Sequence, residues 1–160
     1  MADARGPSSK IELRVLRAHH TASVRETVRQ DDIPAAIGRI FRTVERVISN
    51  QRVATAGAPF ARYHSFGDSV DVEAGLPVAT PIQPEGQVTP SELPAGPAAI
   101  AVHAGPYEGL GATYRAIESW IASTGHVASG GPWEIYLTDP SAEPDPSRWL
   151  TEVIYPLQRP

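Results

Sequence analysis

Apolar residues recur along the chain with two different periods, and these periods predict strands and helices. Strict alternation of apolar and polar positions is typical of a strand with one buried face, whereas apolar positions three and four residues apart indicate an amphipathic helix. The strands predicted in this way cover residues 11–28, 60–66, 69–78, 97–103, 130–140 and 149–157. The first of them is either continuous or broken near His19 and His20.

Two helices are predicted between these strands. The Asp-Asp pair at 31–32 can cap the first helix, which carries Pro34 in its first turn and continues to about residue 50. Pro106 can open the second helix, and Gly125 can cap its carboxyl end. Each helix has an apolar stripe along one side, so each is expected to bury one face.

The order strand, helix, strand, strand occurs twice, and individual residues correspond between the two copies. Tyr63 in the first copy corresponds to Tyr136 in the second, and Phe60 corresponds to Trp133. Glu134 departs from this symmetry because its counterpart is Ala61. A carboxylate that appears in only one copy is not required by the repeated fold, which makes Glu134 a candidate functional residue.

The predicted fold class is therefore α+β, with a duplicated βαββ unit related by a pseudo-twofold axis. We expect an antiparallel sheet with two helices on one face and a ligand cleft on the other. The copies extend over about 11–78 and 97–157, and the segment between them, rich in Pro, Gly, Gln and Glu, is predicted to be a loop. Residues 11–160 are expected to form a single domain after a disordered lead-in, residues 1–10.

Composition narrows the range of functions. The formal net charge is -4, Lys10 is the only lysine, and the arginines are scattered, so no basic stripe for direct nucleic acid binding is present. The hydrophobic and charged fractions, 41% and 20%, are ordinary for a globular protein. The 16 prolines and 13 glycines indicate many short elements and argue against a simple helical bundle.

Several types of site and segment are not expected from this sequence. The chain has no cysteine, which excludes disulfides, thiolate metal sites and a thiol nucleophile. The five histidines lie on different predicted elements without a ligand motif, so neither a metal nor another cofactor is expected. No apolar run approaches the roughly 18 residues of a membrane span, and no apolar signal core is found at the amino terminus. We therefore expect a cytoplasmic, soluble protein that does not contact membranes.

Four short segments, in their order and spacing, carry a further signal. They are Leu93-Pro94-Ala95-Gly96, His103-Ala104-Gly105-Pro106-Tyr107-Glu108, Pro132-Trp133-Glu134-Ile135-Tyr136-Leu137-Thr138-Asp139-Pro140 and Thr151-Glu152-Val153-Ile154-Tyr155-Pro156-Leu157. From about Ile11 to Leu157 the chain resembles the GyrI-like small-molecule-binding family, which includes the effector-binding domain of BmrR-type multidrug-sensing regulators. The resemblance implies the duplicated fold inferred above and a cleft for hydrophobic aromatic, often cationic, compounds.

The resemblance also implies roles for particular residues. The leading hypothesis is a stand-alone member that binds or sequesters aromatic cations, with Glu134 as the charge partner. A second hypothesis follows from stand-alone members that resemble cyclopropyl hydrolases, which open the strained ring of DNA-alkylating natural products. In such an enzyme Glu134 would be the general base and Tyr136 would assist it. A third hypothesis is modulation of a partner protein such as DNA gyrase. The few residues before Ile11 are too short for a helix-turn-helix, and the oligomeric state stays open.

The candidate ligand-binding residues combine one acid with flat aromatic surfaces, which attract cations. They are Glu134, Tyr63, Tyr136, Trp133, Tyr107 and Trp149. Each also has a structural interpretation: the acid can be solvated on an open sheet face, and each aromatic residue can simply cover the core. Trp133 alternates with Glu134 along its strand, so core packing on the other face is its first interpretation.

Overall fold

The computed structural model describes residues 10–160 as one antiparallel sheet of eight strands with two helices. The strands are β1 (Glu12–Leu16), β2 (His19–Arg29), β3 (Phe60–Ser65), β4 (Ser69–Pro77), β5 (Thr89–Leu93), β6 (Gly96–Ala104), β7 (Trp133–Tyr136) and β8 (Leu150–Pro156). The helices are α1 (Ile33–Gln51) and α2 (Leu110–Ser123). The predicted lead-in, residues 1–10, lies outside the described residues except for Lys10.

The sheet order, β1-β6-β8-β7-β3-β4-β2-β5, contains the predicted duplication. Strands β2, β3 and β4 with α1 form one βαββ unit, and β6, β7 and β8 with α2 form the other. The two units join where β3 pairs with β7, with Ala61 opposite Glu134. The α+β class with a duplicated antiparallel sheet and two helices is thus confirmed.

The first predicted strand is two strands that belong to different ends of the sheet. The strand is interrupted after Leu16. As a result, β1 pairs with β6 of the second unit, whereas β2 pairs with β4 of the first. The segment predicted as a loop contains β5, which pairs with β2 at the opposite edge. Each unit is therefore extended by one strand that lies outside the βαββ pattern.

Both helices pack on the same side of the sheet, here called the helix face. Helix α1 contributes Val44 to a core that includes Ala61, and α2 contributes Ile117 to a core that includes Val153. Arg52, with φ of 55°, ends α1 in the left-handed conformation typical of a helix carboxyl cap.

The other side of the sheet, here called the inner face, also has a buried apolar centre. Phe60, Trp133 and the aliphatic Ile154 form a separate buried cluster there, and each is at most 2% exposed. Leu93 from edge strand β5 and Leu16 from edge strand β1 both pack into this cluster. Residues from the two ends of the strand order can meet only if the sheet curls, so the inner face lines a half-barrel. Burial of each large side chain contributes about 1.5–3 kcal/mol to stability.

One expectation about the two faces is corrected by these contacts. The cleft was expected opposite to the helices, yet the acid and its tyrosines lie on the helix face: Tyr63 and Tyr136 pack against the α1 core, and Glu134 contacts α2. On the inner face, the buried apolar cluster of the curled sheet occupies the centre. Within residues 10–160, no helix combines the length and apolarity needed to cross a membrane.

Candidate functional site: a buried glutamate ringed by tyrosines

Glu134 lies at the centre of the sheet, on the helix face of β7. Strand alternation places Glu134 and Tyr136 on this face and turns Trp133 and Ile135 away from it. The carboxylate is 5% exposed and accepts two hydrogen bonds. Tyr114 of α2 donates to Oε1 at 2.8 Å, and Tyr136 donates to Oε2 at 2.6 Å. The acid is thus held between a strand neighbour and the helix above it.

Burial dominates the electrostatics of this carboxylate. Loss of solvation raises the pKa of Glu134, while the hydrogen bonds from Tyr136 and Tyr114 and the nearby His103 oppose this shift without cancelling it. No Lys, Arg or His nitrogen of residues 10–160 lies within ion-pair distance of Glu134. Among residues 10–160, this acid therefore has hydrogen-bond donors but no ion-pair partner.

Glu73, the other buried glutamate of the sheet, shows the contrast. It lies opposite Arg62 and Arg25 on the inner face and is 7% exposed. Burial raises its pKa, but hydrogen bonds from Ser23 at 2.7 Å and His64 at 2.8 Å outweigh burial, so the pKa is lowered overall. Glu73 is stabilised as a carboxylate by the protein itself, in keeping with a structural role, whereas Glu134 is not.

The predicted tyrosine pair is brought together at the acid. Tyr63 on β3 and Tyr136 on β7 share the helix face, and burial raises the pKa of both phenols, as does the negative charge of Glu134. Phe41 of α1 adds an edge-to-face contact to Tyr136, with 6.1 Å between ring centroids. Both helices therefore contribute an aromatic ring to the cluster around Glu134, Phe41 from α1 and Tyr114 from α2.

Two further predicted residues extend the aromatic cluster towards the surface. The ring centroid of Tyr107 lies 5.8 Å from that of Tyr136 and 5.0 Å from that of Trp149. Tyr107 is 37% exposed, and the indole N–H of Trp149 is held by the carbonyl of Glu143 at 2.8 Å. A continuous path of rings thus connects the buried carboxylate with the exposed surface at the start of α2.

Trp133 is not part of this cluster. It is 2% exposed on the inner face, beneath the guanidinium of Arg62, whose Cζ lies 5.3 Å from the ring centroid. The reason is the strand parity that already favoured core packing: consecutive residues of β7 point to opposite faces. Trp133, predicted as a ligand-binding candidate, thus lies on the face of the sheet opposite Glu134.

Sequence reasoning missed Tyr114 and Phe41 as site residues. Both belong to the apolar stripes that predicted α1 and α2, and a stripe shows only which side of a helix is buried. A chemical signal was available for Tyr114. It is the residue of the apolar stripe of α2 that carries a hydroxyl group, on the same side of the helix as Ile117. A buried phenol hydroxyl needs a hydrogen-bond partner. His103 stabilises the segment that leads into α2, because its Nε2 donates a hydrogen bond to the carbonyl of Pro106 at 2.8 Å.

Other candidate sites have less support. Within the described part of the chain, no group of three or more acidic or histidine side chains is arranged to hold a metal ion. A shallow depression lined by Arg29, Asp31 and Asp68 lies at the far end of β2 and β4, away from the aromatic cluster. Chemically, the Glu134 cluster is the arrangement best suited to bind a cation or to hold a proton.

Comparisons with solved structures show the same fold in proteins of low sequence identity. The C-terminal domain of EcmrR superposes with a TM-score of 0.85 at 20% identity, covering 96% of this chain and 99% of that domain. In an EcmrR–DNA complex the identity is 23% and the TM-score 0.85, over 94% of this chain, which spans only 58% of that EcmrR chain.

Two other solved structures are similar over nearly their whole length. A hydrolase encoded by lin2189 from Listeria innocua has a TM-score of 0.68 at 14% identity, covering 95% of this chain and 93% of the hydrolase. SAV2435 bound to tetraphenylphosphonium has a TM-score of 0.62 at 14% identity, covering 93% of this chain and 94% of SAV2435. At these identities the likeness concerns the fold.

Comparison with curated protein sequences gave no match. The model of one protein family, described as GyrI-like small molecule binding domain, matches residues 9–158, nearly the whole chain. The chain therefore belongs to the GyrI-like small-molecule-binding family.

Proposed function

We propose that this domain binds hydrophobic aromatic cations, with the carboxylate of Glu134 as their charge partner. The observation that carries the proposal is a buried glutamate with a raised pKa, two tyrosine donors and no ion-pair partner among the described residues. An ionised carboxylate in such an environment is costly unless a positive charge pairs with it. A bound cation removes that cost, so binding and ionisation of Glu134 stabilise each other.

The surrounding aromatic rings favour the apolar part of such a ligand. Tyr63, Tyr107, Tyr136 and Trp149 present flat surfaces, and each cation–π contact is worth about 0.5–2 kcal/mol. Few directional hydrogen bonds are needed for this kind of recognition, which favours a broad range of ligands. The structure of SAV2435 with tetraphenylphosphonium provides a bulky aromatic cation as a first probe.

The closed geometry implies that the cluster opens when a ligand binds. Glu134 is 5% exposed, and Tyr114 reaches it from α2, so a ligand of this size must displace at least one ring. The partly exposed Tyr107 and Trp149 lie where such an opening would begin. Binding is therefore expected to perturb residues at the start of α2 first.

Selectivity for charge tests this function. Isothermal titration calorimetry with tetraphenylphosphonium and with triphenylphosphine oxide compares the cation with a neutral relative that carries three of its four phenyl rings. We expect the cation to bind at least 10-fold more tightly at neutral pH. Equal affinity for both compounds, or no binding of the cation, would contradict the proposal.

A second function, hydrolysis of a strained aromatic compound, is favoured by the same pairing of a raised carboxyl pKa with the Tyr136 hydroxyl. A hydrolase from Listeria innocua also shares the fold. In this reaction Glu134 takes a proton from water while the water oxygen bonds to a cyclopropane carbon. The ring C–C bond breaks, and its electron pair moves onto a conjugated carbonyl oxygen, which then takes up a proton.

Mass spectrometry distinguishes this second function from binding alone. The protein is incubated with a cyclopropane-bearing aromatic alkylator, and the product is examined for the addition of one water molecule. Turnover that is lost in Glu134→Gln supports hydrolysis. Reversible binding without the water adduct leaves binding as the sole function.

A further inference from the structure

Thr151 lies between Tyr136, a residue of the Glu134 cluster, and His103, a neighbour of that cluster, in one row across the sheet. On β8 it is paired with Tyr136 of β7 on one side and with His103 of β6 on the other. Paired residues of neighbouring strands point to the same face, so Thr151 projects from the helix face beneath the start of α2. Val153, two residues further along β8, lies opposite Glu134.

The hydroxyl of Thr151 is buried and unpartnered. Thr151 is 0% exposed, and its Oγ1 has no hydrogen-bond partner within the part of the chain that the structure describes. Its neighbours are engaged elsewhere, since Tyr136 donates to Glu134 and His103 donates to the carbonyl of Pro106. A buried hydroxyl without a hydrogen-bond partner costs about 1–3 kcal/mol of stability. Valine has nearly the same shape as threonine and would pack as well at this position without that cost.

We propose that Thr151 is a polar subsite of the ligand cleft, where its hydroxyl hydrogen-bonds an O–H or N–H group of the bound molecule. This inference rests on the proposed function and names the ligand class more closely: aromatic cations that carry a hydrogen-bonding group at a fixed distance from the charge. The charge pairs with Glu134 and the polar group pairs with Thr151, one strand away.

The chemistry of the surrounding residues favours this class of ligand. The two oxygens of Glu134 already accept from Tyr114 and Tyr136, and the rings around them offer mainly apolar surface. The Thr151 hydroxyl can both donate and accept, so it suits a hydroxyl or an amine equally. A ligand without such a group leaves Oγ1 unsatisfied, which makes the subsite a source of selectivity.

The chain provides a matched control for the test. Thr21 is also a buried strand threonine, 1% exposed, whose Oγ1 has no partner among the described residues. It is paired with Ser91 and adjoins Ala22, which packs in the α1 core, so Thr21 points to the inner face. Thr151→Val and Thr21→Val remove the same hydroxyl from opposite faces of the sheet.

The probes differ by one hydroxyl group. Tetraphenylphosphonium is compared by calorimetry with the 2-, 3- and 4-hydroxyphenyl triphenylphosphonium isomers. We expect at least one isomer to bind wild type about 3- to 10-fold more tightly than the parent cation, as one net hydrogen bond allows. This gain should vanish in Thr151→Val and persist in Thr21→Val.

Two results would overturn the subsite: no isomer gains affinity in wild type, or the gain persists in Thr151→Val. If the parent cation itself does not bind wild type, the proposed function fails, and the subsite fails with it. Urea unfolding gives a reading that needs no ligand. Thr151→Val should keep the wild-type midpoint or raise it, and a midpoint clearly below that of Thr21→Val would show a hydrogen bond within the protein and contradict the inference.

Discussion

The hydroxyl of Tyr114 on α2 lies 2.8 Å from Oε1 of Glu134 on β7, so the second helix is joined to the centre of the sheet by the candidate ligand-binding acid itself. A ligand that pairs with Glu134 competes with this contact. The same hydrogen bond favours the ionised carboxylate and opposes the effect of burial on its pKa. Under the proposed function, ligand binding at the acid is therefore coupled to the packing of α2.

Tyr114→Phe should raise the pKa of Glu134 further, because the variant loses a donor that stabilises the charged carboxylate. It should also lower the free energy of unfolding by about 1–3 kcal/mol. Carboxyl ¹³C chemical shifts followed against pH measure the first effect, and urea unfolding measures the second. Tyr155→Phe is the control: Tyr155 donates to Glu118 at 2.6 Å, so its loss should leave the Glu134 titration unchanged.

Stability should depend on pH through Glu134 in a direction opposite to that of most acids. Burial raises the folded-state pKa of Glu134 above its unfolded value, which is near 4.5. Above that pH the folded protein therefore keeps a proton on Glu134 that the unfolded chain has released. Stability contributed by the protonated form is then lost with rising pH, at about 1.4 kcal/mol for each pKa unit of difference. Glu134→Gln should be more stable than wild type at neutral pH and should lose this advantage below about pH 4. Unfolding curves across this range that run parallel for the two proteins would contradict the raised pKa.

Trp133 should matter for stability and not for ligand binding. Trp133→Ala leaves a cavity among Phe60 and Ile154 on the inner face and should lower the free energy of unfolding by about 3–5 kcal/mol. The milder Trp133→Phe tests binding in a folded protein. Its affinity for tetraphenylphosphonium should stay within about twofold of wild type, and a 10-fold loss would show that the inner face takes part in recognition.

Trp149 should report ligand binding through its fluorescence. Its ring packs on Tyr107 at the exposed end of the aromatic path, whereas Trp120 stacks on His126 away from Glu134. Tetraphenylphosphonium should quench the emission of wild type and of Trp120→Phe. The signal should largely disappear in Trp149→Phe, and because phenylalanine keeps an aromatic face, the affinity should fall by less than the roughly 2- to 30-fold value of one whole cation–π contact. Unchanged quenching in Trp149→Phe would show that the ligand enters elsewhere.

Much of the fold could be predicted because the hydrophobic periods of its helices and strands can be seen within short stretches of sequence. The stripes of α1 and α2 and the repeat of strand, helix, strand, strand are written in consecutive residues. The pairing of β1 with β6 was not predictable in this way, since nothing near Leu16 shows which distant strand will accept it. The side of the cleft was also hidden, because the curled sheet buries apolar residues on both faces.

The candidate site was predicted as far as strand parity and internal duplication allow. Parity placed Glu134 and Tyr136 on one face, and the duplication added Tyr63 from the neighbouring unit. Tyr114 needed the helix to be docked on the sheet, and the unpartnered hydroxyl of Thr151 needed the register of β7 and β8. These features depend on contacts between elements, which a single sequence does not state.

The central claim is that the charge of Glu134 pairs with a bound cation, and Glu134→Gln tests it most directly. Glu152→Gln is the matched control, since Glu152 lies on the adjacent strand β8 and is paired with Ile135 of the inner-face cluster. Calorimetry at neutral pH should show tetraphenylphosphonium bound at least 10-fold more weakly by Glu134→Gln than by wild type. Affinity for triphenylphosphine oxide should be little changed in both variants. Equal affinity of wild type and Glu134→Gln for the cation would contradict the account.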